Sequence, residues 1–203
     1  MNTKTQKQLQ SEQTRQQIID AATLLFVRKG FYGTSIADLA KATGLTKGAL
    51  YHHFENKDAL FFAVIKSVRD VWNKKVVRDV LSSKDALDRL IMLIENHTHL
   101  LLNDTQLCLL LNGLIMEMDG INPEFMVTLQ DVYTDLIDFI ESIIRKGQTA
   151  GQIRSDLDAR LVALNIVSIL RSIGCSPIFK HMGVDCVEVT EALKPIIIDG
   201  LKP

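Results

Sequence analysis

Thr46, Lys47, Gly48, Tyr51, His52 and His53 crowd into eight residues a set of groups with one chemistry in common. They offer a hydroxyl, a cation, an aromatic with a polar tip and two imidazoles, which are the group types that phosphates and base edges accept. If a helix begins at Thr46, only Ala49, Leu50 and, one turn later, Phe54 suit burial. The polar set is left on the other faces, and Gly48 adds a place where a partner can approach the backbone closely. That is an odd surface for a helix whose only task is packing.

The elements that would position this surface are short and sharply punctuated. Ser35 followed three residues on by Asp38 reads as a capping box, and Ile36, Leu39 and Ala40 give an inward stripe at helical spacing. Gly44 then ends the helix, because glycine takes the left-handed conformation without a side-chain clash. Leu45 plugs the space between two helices, and Thr46 is the N-cap of the second. Residues 34 to 57 therefore read as two helices folded about Gly44.

Charge supports contact with nucleic acid at this end. Over residues 1 to 57 there are eight Lys/Arg against four Asp/Glu; since the whole chain has 23 and 24, the remainder has fifteen against twenty. The overall charge of -1 thus hides a basic N-terminal part and an acidic remainder. At 203 residues and 47% hydrophobic, the chain is long enough for a small domain fused to a larger one.

These residues resemble the TetR family of one-component transcriptional regulators. The resemblance covers roughly residues 12 to 62: Ile18, Ala21, Ala22, Leu24 and Phe26 on a first helix, then Gly30-Phe31, Thr34, Ile36, Ala37, Gly44-Leu45, Gly48, Leu50-Tyr51, His53-Phe54, Lys57 and Leu60-Phe61. It implies an all-α fold: a three-helix helix-turn-helix DNA-binding domain in residues 1–57, and a larger helical ligand-binding and dimerisation domain in 58–203. It also implies phosphate contacts at Thr34, Tyr51, His53 and Lys57, and close approach to bases or backbone at Thr46, Lys47, Gly48, Ala49 and His52. His52 stands where tyrosine is common in the family and Glu55 where lysine is frequent, so operator preference does not carry over. The implied protein is a ligand-responsive regulator, in the repressor mode, that binds double-stranded operator DNA as a homodimer. Two recognition helices spaced ~34 to 36 Å apart would read an inverted repeat.

Beyond residue 57 the apolar periodicity predicts long helices over 57–80, 83–102, 104–118, 123–150, 156–176 and 184–201. The helix at 156–176 is apolar almost all round and needs covering on several sides. Pairing it with the last helix, against the same two helices of a second copy, gives a four-helix bundle and a two-fold dimer. Pro195 is expected to kink or shorten the last helix.

An effector pocket is sought where polar or bulky groups interrupt apolar stripes: Trp72, His97, Leu101, Asn112, Met116, Tyr133 and Asn165. Pockets combine an apolar lining with a few polar anchors, so the effector is expected to be a largely apolar small molecule. Taken singly, each of these residues is more often an ordinary core or interface residue.

No paired nucleophile and base, paired carboxylates, metal-ligand set or phosphate loop stands out, so no enzyme, cofactor or metal site is expected. His97 and His99, two apart, diverge on a helix. Cys108, Cys175 and Cys186 lack CxxC spacing, which speaks against a disulfide framework and structural zinc. No run of about 18 apolar residues and no apolar signal core appears, so a cytoplasmic protein without membrane contact is expected. Two other readings stay open: a redox- or metal-responsive regulator of the same fold, and a helical small-molecule binding protein without a transcriptional role.

Overall fold

The computed structural model describes residues 5–174 and 181–203. Among them lie nine α-helices and no strand: α1 (Gln6–Lys29), α2 (Ile36–Thr43), α3 (Lys47–His53), α4 (Lys57–Trp72), α5 (Ala86–Asn103), α6 (Thr105–Met118), α7 (Pro123–Thr149), α8 (Ala159–Gly174) and α9 (Cys186–Leu201). The fold is all-α, as the sequence indicates. No helix among the described residues is long and apolar enough to cross a membrane.

The chain forms two compact units. Unit 1 takes residues up to Arg69 together with Leu109–Thr128, and unit 2 takes Asp70–Cys108 with Leu129–Pro203. Unit 1 is larger than the 1–57 stretch that carries the motif, because α4 and the segment from the middle of α6 to the start of α7 pack with it.

In unit 1, α1 contributes Ile18, Ile19, Ala22 and Phe26 to the interior, α2 Leu39, α3 Leu50, and α4 Leu60, Phe61, Val64, Ile65 and Val68. Leu110, Leu114 and Met118, one helical face of α6, are buried in the same unit, as is Phe125 of α7. Phe61 and Phe125 stack at 4.0 Å with an interplanar angle of 9°, and Phe31 meets both rings edge-on at 5.5 and 5.2 Å. Such pairs add about 0.5–1.5 kcal/mol each beyond the area they bury.

α1 starts earlier than its apolar pattern suggests. Thr5 and Gln8 form a capping box, with the Gln8 amide donating to Thr5 Oγ1 at 3.3 Å and Gln8 Oε1 accepting from the Thr5 amide at 2.8 Å. Residues 6 to 13, all exposed, are therefore helical although they bury nothing.

Unit 2 is built on α5, whose Leu90, Leu93, Ile94 and Leu100 meet Ile140, Ile143 and Ile144 of α7, Ala163, Ile166, Val167 and Leu170 of α8, and Ile198 and Leu201 of α9. The single helix expected over 57–80 is broken up. α4 ends at Trp72, a π-helical turn covers Asn73–Val77, and a 3₁₀ turn covers Val80–Ser82. Within and just after the π-helical turn, Val76 and Val80 are both fully buried. Asn96 of α5 holds the turn by donating to the Val76 carbonyl at 3.1 Å. Pro195 does not shorten the last helix: α9 runs through it to Leu201. Proline removes one donor there, while Ile198 and Leu201 keep the helix packed beyond it.

Candidate nucleic-acid interface and effector core

Local chemistry sets the α2–α3 corner. Ser35 Oγ accepts the Asp38 amide at 3.1 Å and Asp38 Oδ2 accepts the Ser35 amide at 3.0 Å, completing the capping box. Lys29 of α1 forms an ion pair with the same carboxylate. Hydrogen bonds from Lys29 and then Ser35 hold the Asp38 carboxyl well below the usual carboxylate range. Gly44 adopts φ 72°, in the left-handed region, and Thr46 Oγ1 caps α3 by accepting the Ala49 amide at 3.2 Å.

On α3 the structure buries Leu50 and, at its C-cap, Phe54. Thr46, Lys47, Gly48, Tyr51 and His52 are exposed, Tyr51 to 51%, while Ala49 and His53 are half-buried. The polar set is thus gathered on one short helix and left open to solvent. Arg15 of α1 supports it from behind, its guanidinium 4.7 Å from the Phe54 ring centroid. Gln17 Nε2 donates to the Thr43 carbonyl at 3.1 Å and fixes the end of α2 against α1.

Two residues assigned to phosphate by resemblance are occupied within the molecule. Thr34 is 1% exposed, and its hydroxyl donates to the Gly30 carbonyl at 2.7 Å. Lys57 Nζ donates to the carbonyls of Phe31 at 2.9 Å and Thr34 at 3.0 Å, and lies 4.3 Å from the Phe31 ring centroid. Both hold the α1–α2 turn. Motif spacing locates such residues but does not say which of their atoms are already engaged.

The residues expected to line an effector pocket separate between the units. Trp72, His97, Leu101, Tyr133 and Asn165 belong to unit 2, Asn112 and Met116 to unit 1. Met116 is 82% exposed, on the opposite side of α6 from Leu114 and Met118. Asn165 is also exposed, its side chain donating to the Leu161 carbonyl at 2.9 Å. Trp72 and Tyr133 pack against the unit 2 core, and the Arg171 guanidinium lies 4.6 Å from the Tyr133 ring centroid. His97 and Leu101, one turn apart on α5, are buried.

His97 is 7% exposed, and its Nδ1 has no hydrogen-bond partner among the described residues. Burial pushes its pKa down to about 4, so the imidazole is neutral in the fold. On the next α5 position Thr98 Oγ1 lies 3.1 Å from Thr190 Oγ1 of α9, a buried pair that sequence reasoning missed. Nearby along the same two helices, Lys194 bridges Glu95 and Glu191 at 2.7 Å each. The side chains of Cys108 and Cys186, and all of Cys175, lie outside the described residues.

Comparison with known proteins agrees with this geometry. Residues 18–64 match the bacterial regulatory proteins of the tetR family, and residues 86–175 match the tetracyclin repressor-like C-terminal domain. The fatty acid metabolism regulator protein of Bacillus subtilis (strain 168) is 22% identical over 185 residues, covering 91% of this chain and 94% of that protein. The crystal structure of the transcriptional regulator FadR from Bacillus subtilis in complex with stearoyl-CoA superposes with a TM-score of 0.76 at 21% identity, covering 92% of this chain and 98% of that one. AibR in complex with isovaleryl coenzyme A and operator DNA gives a TM-score of 0.76 at 22% identity, covering 90% and 97%.

Proposed function

We propose that this chain, which belongs to the TetR family of bacterial regulatory proteins, is a cytoplasmic homodimeric repressor that holds an inverted-repeat operator and releases it when an acyl-coenzyme A thioester binds. The observation that carries the reading is the outer face of α3, where Thr46, Lys47, Gly48, Tyr51 and His52 stand in solvent over a buried Leu50 and Phe54. A helix held this way fits a major groove, and two of them related by a dyad fit successive grooves.

Dimerisation through α8 and α9 is supported by apolar side chains that one copy leaves uncovered. Leu161 and Leu164 on α8 and Ile196 on α9 are exposed, while the opposite face of α8 is buried. The effector class draws on the stearoyl-CoA and isovaleryl coenzyme A complexes of two structurally similar regulators. Unit 2 suits an acyl chain in its chemistry: its interior is aliphatic, with Trp72 and Tyr133 against it and His97 Nδ1 buried without a hydrogen-bond partner among the described residues. Release then requires only that the ligand bind more tightly to the conformation that fits DNA poorly.

The test uses DNA selected by the protein from a random pool, followed by anisotropy titrations with acyl-CoA thioesters of increasing chain length. Acyl-CoA should weaken operator binding, and coenzyme A alone should not. Selection of DNA without any response to acyl-CoA would remove the effector class and leave the regulator.

A further inference from the structure

Glu117, near the end of α6, is engaged in a manner that no feature of the recognition motif predicts. Its Oε2 accepts the backbone amide of Phe31 and its Oε1 that of Tyr32, each at 2.7 Å. Both amides lie in the turn between α1 and α2. A carboxylate receiving two adjacent N–H groups forms charge-assisted bonds, stronger than neutral ones, and a defined geometry. Gly30 completes the fit. It sits at φ +74°, and a Cβ there would lie 2.8 Å from both carboxylate oxygens.

The other side of the turn is fixed by α4. Lys57 Nζ takes the carbonyls of Phe31 and Thr34, and Thr34 Oγ1 closes onto the Gly30 carbonyl. Donors of the turn therefore go to a carboxylate on α6 and acceptors to an ammonium on α4. Downstream, Ser35 caps α2, and the α2–α3 corner follows within ten residues. With α2 only 8 and α3 only 7 residues long, neither sets its own orientation independently of the turn that launches it.

We propose that Glu117 is a positioning residue for operator binding: it touches no DNA, and its paired bonds to Phe31 and Tyr32 fix the α1–α2 turn and thereby the pose of α3. The role is separate from phosphate contact, which makes it separable by experiment.

Glu117→Gln preserves shape but leaves one acceptor oxygen and turns an NH₂ toward an amide N–H; Glu117→Ala removes both bonds. Glu124→Gln, on the exposed start of α7 in the same unit, is the control. Three quantities are read in the full-length protein: operator affinity across a salt series, amide hydrogen exchange at Phe31 and Tyr32, and the melting temperature. Losing one or two charge-assisted bonds in the turn should raise the operator Kd about tenfold for Gln and further for Ala. Exchange at the two amides should accelerate, and the salt slope should match wild type, because no phosphate contact is removed. Glu124→Gln should change none of these. Unchanged operator affinity with faster exchange would make Glu117 a local cap only, and weaker binding with unchanged exchange would place its effect elsewhere. A shallower salt slope would make it part of the DNA contact, and loss of cooperative melting in both variants would make it a folding residue. Any of these four results overturns the proposal.

Discussion

The two units use polar groups in opposite ways. In unit 1 they act on backbone: Ser35, Thr46, Lys57 and Glu117, together with the buried Thr34, each take a main-chain group, and what remains on α3 faces solvent. In unit 2 the telling polar groups lie deep among aliphatic side chains, with His97, Thr98 and Thr190 all buried. Reading DNA needs groups that exchange water for phosphates and bases at little cost, so the support must be rigid and the reading face open. Taking up an apolar effector needs the reverse, an enclosed aliphatic interior with a polar atom left for the ligand, as His97 Nδ1 is left among the described residues. A surface function of this kind can be written in about twenty consecutive residues, whereas an interior one depends on which distant side chains packing brings together.

The largest effect that would sharpen this contrast concerns His97. Its folded pKa of about 4 lies below the ordinary value of 6.5, so between those pH values the unfolded chain binds a proton that the folded one refuses. Stability must then fall as pH drops from 6.5 toward 4 and level off below. Over that window the group contributes about 3 kcal/mol of pH-dependent destabilisation. Urea titrations of wild type and His97→Leu at several pH values isolate the term, since other groups cancel in the difference. Wild type should lose stability relative to the variant at about 1.4 kcal/mol per pH unit near the middle of the window. Parallel curves would mean that water or a partner reaches the imidazole, and unit 2 would then lose the buried orphan that distinguishes it.

How far the sequence discloses each unit follows the same division. The capping box at Ser35, the left-handed Gly44 and the N-cap at Thr46 are local, and all three form as their residue types require. The cap at Thr5 is equally local, but the helix it begins has no apolar stripe in its first two turns to announce it. The helices beyond residue 57 are visible as periodicity, but their facing is not. α6 carries apolar residues on several sides, and nothing local decides that Leu110, Leu114 and Met118 turn inward while Met116 turns out. The π-helical turn at Asn73–Val77 breaks a stretch that apolar periodicity presents as one helix over 57–80. Thr98 and Thr190 are 92 residues apart, and Glu117 reaches a turn 85 and 86 residues away. No spacing rule connects such pairs.

A second, smaller effect tests the open face of unit 1. Lys47 and Tyr51 are exposed, and the buried Leu50 carries the packing of α3. Lys47→Ala and Tyr51→Ala should each weaken operator binding by about 1–3 kcal/mol while the melting temperature stays within a degree or two of wild type. The two should differ in salt response: removing the Lys47 charge lowers the slope of log affinity against log salt by about one, and removing the phenol leaves it nearly unchanged. If both variants bound as wild type does, the reading face would lie elsewhere and the contrast between an open and a closed unit would fail.

The smallest effect is the most discriminating, because its two readouts move in opposite directions. A Cβ placed on Gly48 would meet nothing nearer than Thr46 Oγ1 at 3.9 Å, and Gly48 does not sit at positive φ. Nothing inside the molecule therefore requires glycine there. Glycine within a helix costs about 0.5–1 kcal/mol relative to alanine, so Gly48→Ala should stabilise the protein slightly and raise its melting temperature by about 1–3 °C. The requirement must then come from outside, from a partner whose surface comes closer to α3 than a methyl group permits. Operator affinity should accordingly fall while stability rises, by a few-fold if the methyl displaces the backbone slightly and more if it blocks seating. Scanning calorimetry and anisotropy on the same preparation check both signs. A melting temperature that rises with operator affinity unchanged would show that no partner approaches α3 at this point, and α3 would have to meet DNA by its Tyr51 side instead.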